Sequence, residues 1–119
     1  MPSPIHHRWD SVQTKEVTPG IVRQFVSSAR VTVARFSLAG GTAVPTHAHE
    51  NEQVSYVVRG ALKFRFPDRE VMVRGGEVIV IPPNLPHAVD VVEESEAIDV
   101  FNPVRQDWID GTDAYFQKR

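Results

Sequence analysis

Along most of this chain, apolar residues alternate with polar ones or cluster in runs too short for a helix, and turn-forming residues cut each run. About eight such runs can be read, bounded by Gly, Pro, Asn and Ser. They are GIVRQFV at 20–26, RVTVARFSL at 30–38, QVSYVV at 53–58, ALKFRF at 61–66, EVMV at 70–73, EVIVI at 77–81, HAVDVV at 87–92 and AIDVF at 97–101. Val, Ile and Phe dominate them, the side chains that suit a pleated, half-buried surface. Short strands at this spacing predict an all-β sandwich or barrel. Helical periodicity is nearly absent. Only the closing stretch VRQDWIDGTDAYFQKR has room for a short helical turn, with Trp108, Ile109, Tyr115 and Phe116 expected to pack it onto the barrel. The first 15 residues read as irregular, with Trp9 as an anchor.

The 119 residues predict one domain over 1–119, with its barrel core at about 20–105, large enough to bury a core without covalent staples. No cysteine is present, so disulfides and thiolate metal sites are excluded, and a metal would need His, carboxylate or amide ligands. Net charge is −2 with no long basic run, which argues against nucleic acid as a partner. The opening MPSPIHHRWD has no apolar segment of the signal-peptide kind, and no run approaches a membrane span. A soluble, cytoplasmic protein without a membrane partner is the expectation.

The stretch GGTAVPTHAHENEQVSYVVRG, residues 40–60, places His47 and His49 one residue apart. In a strand, alternate residues share a face, so these imidazoles project together and can chelate one ion. Gln53 keeps the same parity if the strand is continuous, while Glu50 and Glu52 point to solvent. His87 adds a third imidazole. EVIVI stops at Pro82, the turn PPNLP reverses the chain, and His87 opens the next strand. Asn84 suits the left-handed conformation such a turn demands. The plainer alternative is a pair of loop histidines and a turn-capping His87, but the metal reading explains all three at once. N and O ligands of this kind suit Zn, Ni, Mn, Fe or Co. His6 and His7 are set aside, because neighbours in an extended chain point opposite ways.

The pattern Gly41-x5-His47-x-His49-x3-Gln53-x6-Gly60 resembles the first motif of the cupins, and Gly76-x5-Pro82-x-Asn84-x2-His87 resembles the second. The resemblance implies a cupin double-stranded β-helix, a jelly-roll barrel, holding one divalent metal ion. Two positions depart from the family pattern: Gln53 replaces its usual Glu, and Asn84 replaces a glycine. A neutral amide leaves more of the ion's charge uncancelled, which favours polarising a substrate oxygen.

HENEQVSYVVRG together with IDVFNPVRQDWI is similar to the KdgF group, small cupins of pectin and alginate breakdown. That resemblance implies His47, His49, Gln53 and His87 as the metal set. It implies Asp99, Phe101 and Arg105 as the residues of the reaction, the conversion of 4,5-unsaturated uronate monosaccharides to open-chain 5-keto-4-deoxyuronate. The substrate is then a small sugar acid, and small cupins of this kind lead one to expect a homodimer. Strand parity alone puts Asp99 and Phe101 on one face. Arg105 can grip a carboxylate with both arms of its fork, or else pair with Asp107 or Asp110. Two other readings stay open at this point: a metal-dependent cupin dioxygenase, and a non-enzymatic sugar-acid binding module.

Overall fold

A computed structural model describes residues 2–113. A 3-10 turn at Trp9–Ser11 precedes the strands β1 (Lys15–Thr18), β2 (Ile21–Ser27), β3 (Thr32–Leu38), β4 (Ala43–His47), β5 (Glu52–Phe66), β6 (Arg69–Arg74), β7 (Glu77–Ile81) and β8 (His87–Asn102). One short helix, α1 (Gln106–Asp110), follows. All pairings are antiparallel, in the order β1-β2-β3-β8-β5-β6, with β4 also on β8 and β7 also on β5.

The architecture turns on the two long strands. β5 and β8 pair from Glu52↔Asn102 at one end to Arg65↔Ala88 at the other. Midway, the register slips repeatedly between Val57 and Leu62, where Gly60 sits at φ +98°. A Cβ at Gly60 would overlap Ser95 Oγ and Glu94 O, so the two backbones approach there more closely than any side chain allows. Each long strand therefore bends and serves two sheets. The first half of β5 pairs with β7 and the second with β6, while the first half of β8 pairs with β4 and the second with β3. This double use rolls the strands into a jelly roll, as expected from the motifs.

The bend also corrects the reading of the runs. QVSYVV and ALKFRF form one strand rather than two, and so do HAVDVV and AIDVF. Gly60 looked like a turn but is a kink. β1 and β4 carry too few apolar residues to stand out in the sequence.

Inside the barrel, Ile21, Val57, Leu62, Phe64, Ile81 and Val91 belong to one buried cluster, and Ala34, Phe101 and Trp108 form a second. α1 rests on the barrel through Trp108, whereas Ile109 is 49% exposed, so the expectation that Ile109 packs inward is wrong. A helix this short presents only one side to the sheet. Tyr115 and Phe116 lie outside the described residues. Trp9 is half-buried, and its carbonyl accepts a hydrogen bond from Gln24 Nε2 at 2.7 Å, which ties the N-terminal segment to β2. Among the described residues, no helix is long and apolar enough to cross a membrane.

Candidate metal centre and cavity

His47 ends β4 and lies opposite His87, the first residue of β8. His49 stands in the loop that follows β4, and Gln53 lies near the start of β5. The chain thus leaves its strand between His47 and Gln53, and the parity argument, which needed one continuous strand, does not apply. The side chains meet because the loop folds back and β5 and β8 run side by side. Ring centroids are 4.4 Å apart for His47–His87, 5.1 Å for His49–His87 and 5.6 Å for His47–His49. One nitrogen from each of the three rings lies within 4.8 Å of the others.

Backbone carbonyls set the tautomers. Nδ1–H of His47 donates to Pro45 O at 2.8 Å, that of His49 to Asn51 O at 3.1 Å and that of His87 to Leu85 O at 2.8 Å. A carbonyl can only accept, so each Nδ1 carries the proton and each Nε2 keeps its lone pair. The turns that supply these carbonyls are themselves linked. Asn84 has φ +66°, the left-handed conformation expected of it, and its N–H donates to His49 O at 2.8 Å.

Two observations show that this donor set fits a cation. His87 Nε2 is buried and has no hydrogen-bond partner among the described residues. His49 Nε2 faces Gln53 Oε1 at 3.1 Å, acceptor against acceptor. The Gln53 amide holds that orientation because its Nε2 donates to Ser55 Oγ at 2.9 Å and to Asp99 Oδ2 at 3.4 Å. A divalent ion held by three imidazoles and an amide oxygen would satisfy both features. Burial, the main cause, pushes His47 and His49 down to about 4, helped by the charges of Arg105 and the neighbouring histidines and opposed by their backbone hydrogen bonds. His87 is lowered too, first by burial. All three are neutral at neutral pH, the form that binds metal. Glu50 and Glu52 are exposed, as expected.

Asp99 and Phe101 face the same cavity, as their parity predicted, together with His47, Gln53, His87 and Trp108. Apolar walls come from Phe36, Leu38, Val44, Leu62 and Phe64. Burial pushes the Asp99 carboxyl up to about 6, against the opposing effects of the Ser55 hydrogen bond and the Arg105 charge. The Phe101 ring meets His49 edge-on at 5.7 Å and Trp108 at 5.1 Å.

Arg105 takes up the alternative of a partner within the chain. Its side chain is buried, with Nε and Nη2 donating to the two carboxylate oxygens of Asp107 at 2.9 and 2.8 Å. Its guanidinium lies over Phe101 at 4.8 Å and over Trp108 at 4.2 Å. That edge of the fork is therefore engaged by Asp107. Burial alone would raise the Asp107 carboxyl, but the Arg105 fork outweighs it and holds the group below the usual carboxylate range. Arg105 still acts on the site through its charge, which lowers the three histidines and Asp99.

Sequence reasoning missed Asn51, Ser55 and the cavity-lining role of Trp108. Asn51 is buried, and its amide donates to Pro103 O at 2.6 Å and Val104 O at 3.1 Å, tying the histidine loop to the segment that carries Arg105. Only Ser55 left a usable sign, sharing strand parity with Gln53.

A family profile described as Cupin domain matches residues 34–101. The chain belongs to the cupin family. Among solved structures, this cupin is similar to KdgF from Halomonas sp., at 27% identity over 83% of this chain and 94% of that one, with a TM-score of 0.77. It is also similar to an RmlC-like cupin from Shewanella frigidimarina, at 23% identity over 89% and 96% of the two chains, with a TM-score of 0.81. A mutant of the Bacillus subtilis oxalate decarboxylase OxdC aligns at 19% identity and a TM-score of 0.78 over 87% of this cupin, which spans 30% of that chain. The last two likenesses establish the fold. A comparison with the curated proteins finds no significant match.

Proposed function

We propose that this cupin is a metal-dependent enzyme converting 4,5-unsaturated uronate monosaccharides to open-chain 5-keto-4-deoxyuronate, as in pectin breakdown. The observation that carries this reading is Asp99, a cavity-facing carboxyl with its pKa near 6, set against the amide of the would-be ligand Gln53. The similarity to a KdgF protein supports it. His47, His49, Gln53 and His87 would hold the ion. A divalent ion bound there supplies Lewis-acid polarisation of the substrate's carboxylate and ring oxygens.

The substrate is a cyclic enol ether that carries a hemiacetal. Its opening removes the proton of the anomeric hydroxyl, breaks the bond from the anomeric carbon to the ring oxygen, and leaves an enolate. A proton delivered to C4 then completes the ketone, so no net proton is gained or lost. Asp99 is the group that takes and returns protons, since a carboxyl of pKa near 6 serves in both directions near neutrality. Phe101 offers an apolar wall to the sugar ring. Arg105, fixed by Asp107, favours the negative charge that develops as the anomeric proton leaves.

The test is the loss of conjugated absorbance of an unsaturated uronate, measured against its uncatalysed opening. Acceleration that depends on added metal is expected. Binding of the uronate without acceleration would replace the proposal with a sugar-acid binding module, and oxygen uptake would replace it with a dioxygenase.

A further inference from the structure

Gln53 can face an ion with its oxygen only if something holds its nitrogen elsewhere. The amide has a second orientation open to it: turned over, Nε2 would donate to His49 Nε2 and occupy the lone pair an ion needs. Two acceptors oppose that rotation. Ser55 Oγ takes one amide proton at 2.9 Å, and Asp99 Oδ2 faces the other at the longer distance of 3.4 Å. Ser55 is the nearer of the two, and at 1% exposed it is shielded from bulk solvent. A hydroxyl has a single proton to give, and Ser55 gives it to Asp99, which lies opposite it in the β5–β8 register.

We infer that Ser55 is a positioning residue that turns the Gln53 oxygen toward the metal and joins this ligand to the Asp99 carboxyl. The inference rests on the metal reading of the site but not on the uronate chemistry. It also accounts for glutamine at a position where cupins usually carry Glu. A carboxylate at residue 53 would have no proton for Ser55 or Asp99, and would set two anionic groups against each other. The amide is the side chain that can present an oxygen to the ion and N–H groups to Ser55 and Asp99 at once.

The experiment titrates metal-free protein with Zn2+, in the wild type and in Ser55→Ala, Gln53→Ala and the double variant. Ser55→Ala should weaken Zn2+ binding about tenfold or more, the scale seen when a residue that orients a ligand is removed. In the Gln53→Ala background the same change should cost nothing further, because Ser55 acts through the amide. Ser55→Thr keeps the hydroxyl and should stay within about threefold of the wild type, well short of that tenfold loss. Wild-type affinity in Ser55→Ala overturns the inference. An equal loss with and without Gln53 also overturns it, and so does a Thr variant as weak as the Ala variant. A wild type that takes up no Zn2+ defeats the metal reading and this inference together. A wild type that binds Zn2+ yet leaves uronates unchanged defeats only the reaction proposed above.

Discussion

At the scale of single residues, the role proposed for Asp99 runs against stability. Its folded pKa of about 6 lies above the ordinary value of 3.8, so the folded state binds the proton more tightly than the unfolded chain does. Stability from this group is therefore full at low pH and is lost as pH rises through 4 to 6. Asp99→Asn should raise the unfolding free energy of the metal-free protein at pH 8 by about 1–3 kcal/mol, read by urea denaturation. The same change should cut uronate turnover by about two to four orders of magnitude. Arg105 lowers the Asp99 pKa, so Arg105→Met should move the acid limb of the pH–rate profile to higher pH. A limb that stays in place would show that Arg105 does not reach Asp99. The ligands titrate the other way. With all three imidazoles held below their ordinary range, Zn2+ affinity should fall at lower pH than it would for unperturbed histidines, because protons compete for the rings only in more acid solution. The clustering of His47, His49 and His87 was legible in the sequence because the motif spacing names them. The partner of Arg105 was not. Asp107 and Asp110 are both within reach along the chain, and the burial of the guanidinium against Phe101 and Trp108, which selects Asp107, is a tertiary fact.

At the scale of elements, the sequence showed where apolar runs begin and end but not which breaks are turns. Gly60 and the stretch Pro82 to Pro86 both interrupt β-rich sequence. At Gly60 the strand bends but goes on, since a left-handed glycine can kink a strand without ending its pairing with β8. At 82–86 Pro82 and Pro83 remove donors in succession, the ladder cannot continue, and the chain reverses at Asn84. The prolines made that second case readable. The first depends on Ser95 and Glu94, far along the sequence, lying under the glycine. Gly60→Ala should therefore cost more than the ~1 kcal/mol of an ordinary positive-φ glycine, and about 2–4 kcal/mol is expected in urea denaturation. A loss under ~1 kcal/mol would mean that the strands can move apart at the crossing. The turn bears on the site as well. Asn84→Gly keeps both the left-handed φ and the N–H bond to His49 O and should leave Zn2+ affinity unchanged. Asn84→Val strains both and should lower it.

At the scale of the whole molecule, the outward face of one sheet breaks the usual alternation of an antiparallel sheet, in which the solvent side is polar. Val80, Val54, Val100, Val33 and Val26 stand in register across β7, β5, β8, β3 and β2. Beside them lie Val78, Tyr56 and Ile98, also in register. Val80 is 58% exposed and Val78 56%. No single strand betrays this face, because each valine merely alternates with an inward residue, and only the register lines them up. A contiguous apolar face on a small domain marks an interaction surface. We propose that its partner is a second copy of this chain. A two-fold axis lays such a row against itself, because the same patch is then presented by both copies. Sedimentation velocity at tens of micromolar should give a dimer. Val80→Lys with Val100→Lys should give a folded monomer, because buried unpaired lysines at the centre of the face cost more than the valines gain. The double variant should also keep its Zn2+ affinity. The outward valines alternate with Gln53, Ser55, Asp99 and Phe101, whose side chains point to the opposite face of the same strands. A wild type that stays monomeric at these concentrations would sink the dimer. A double variant that loses both dimer and Zn2+ would show that the two faces of this sheet are not independent.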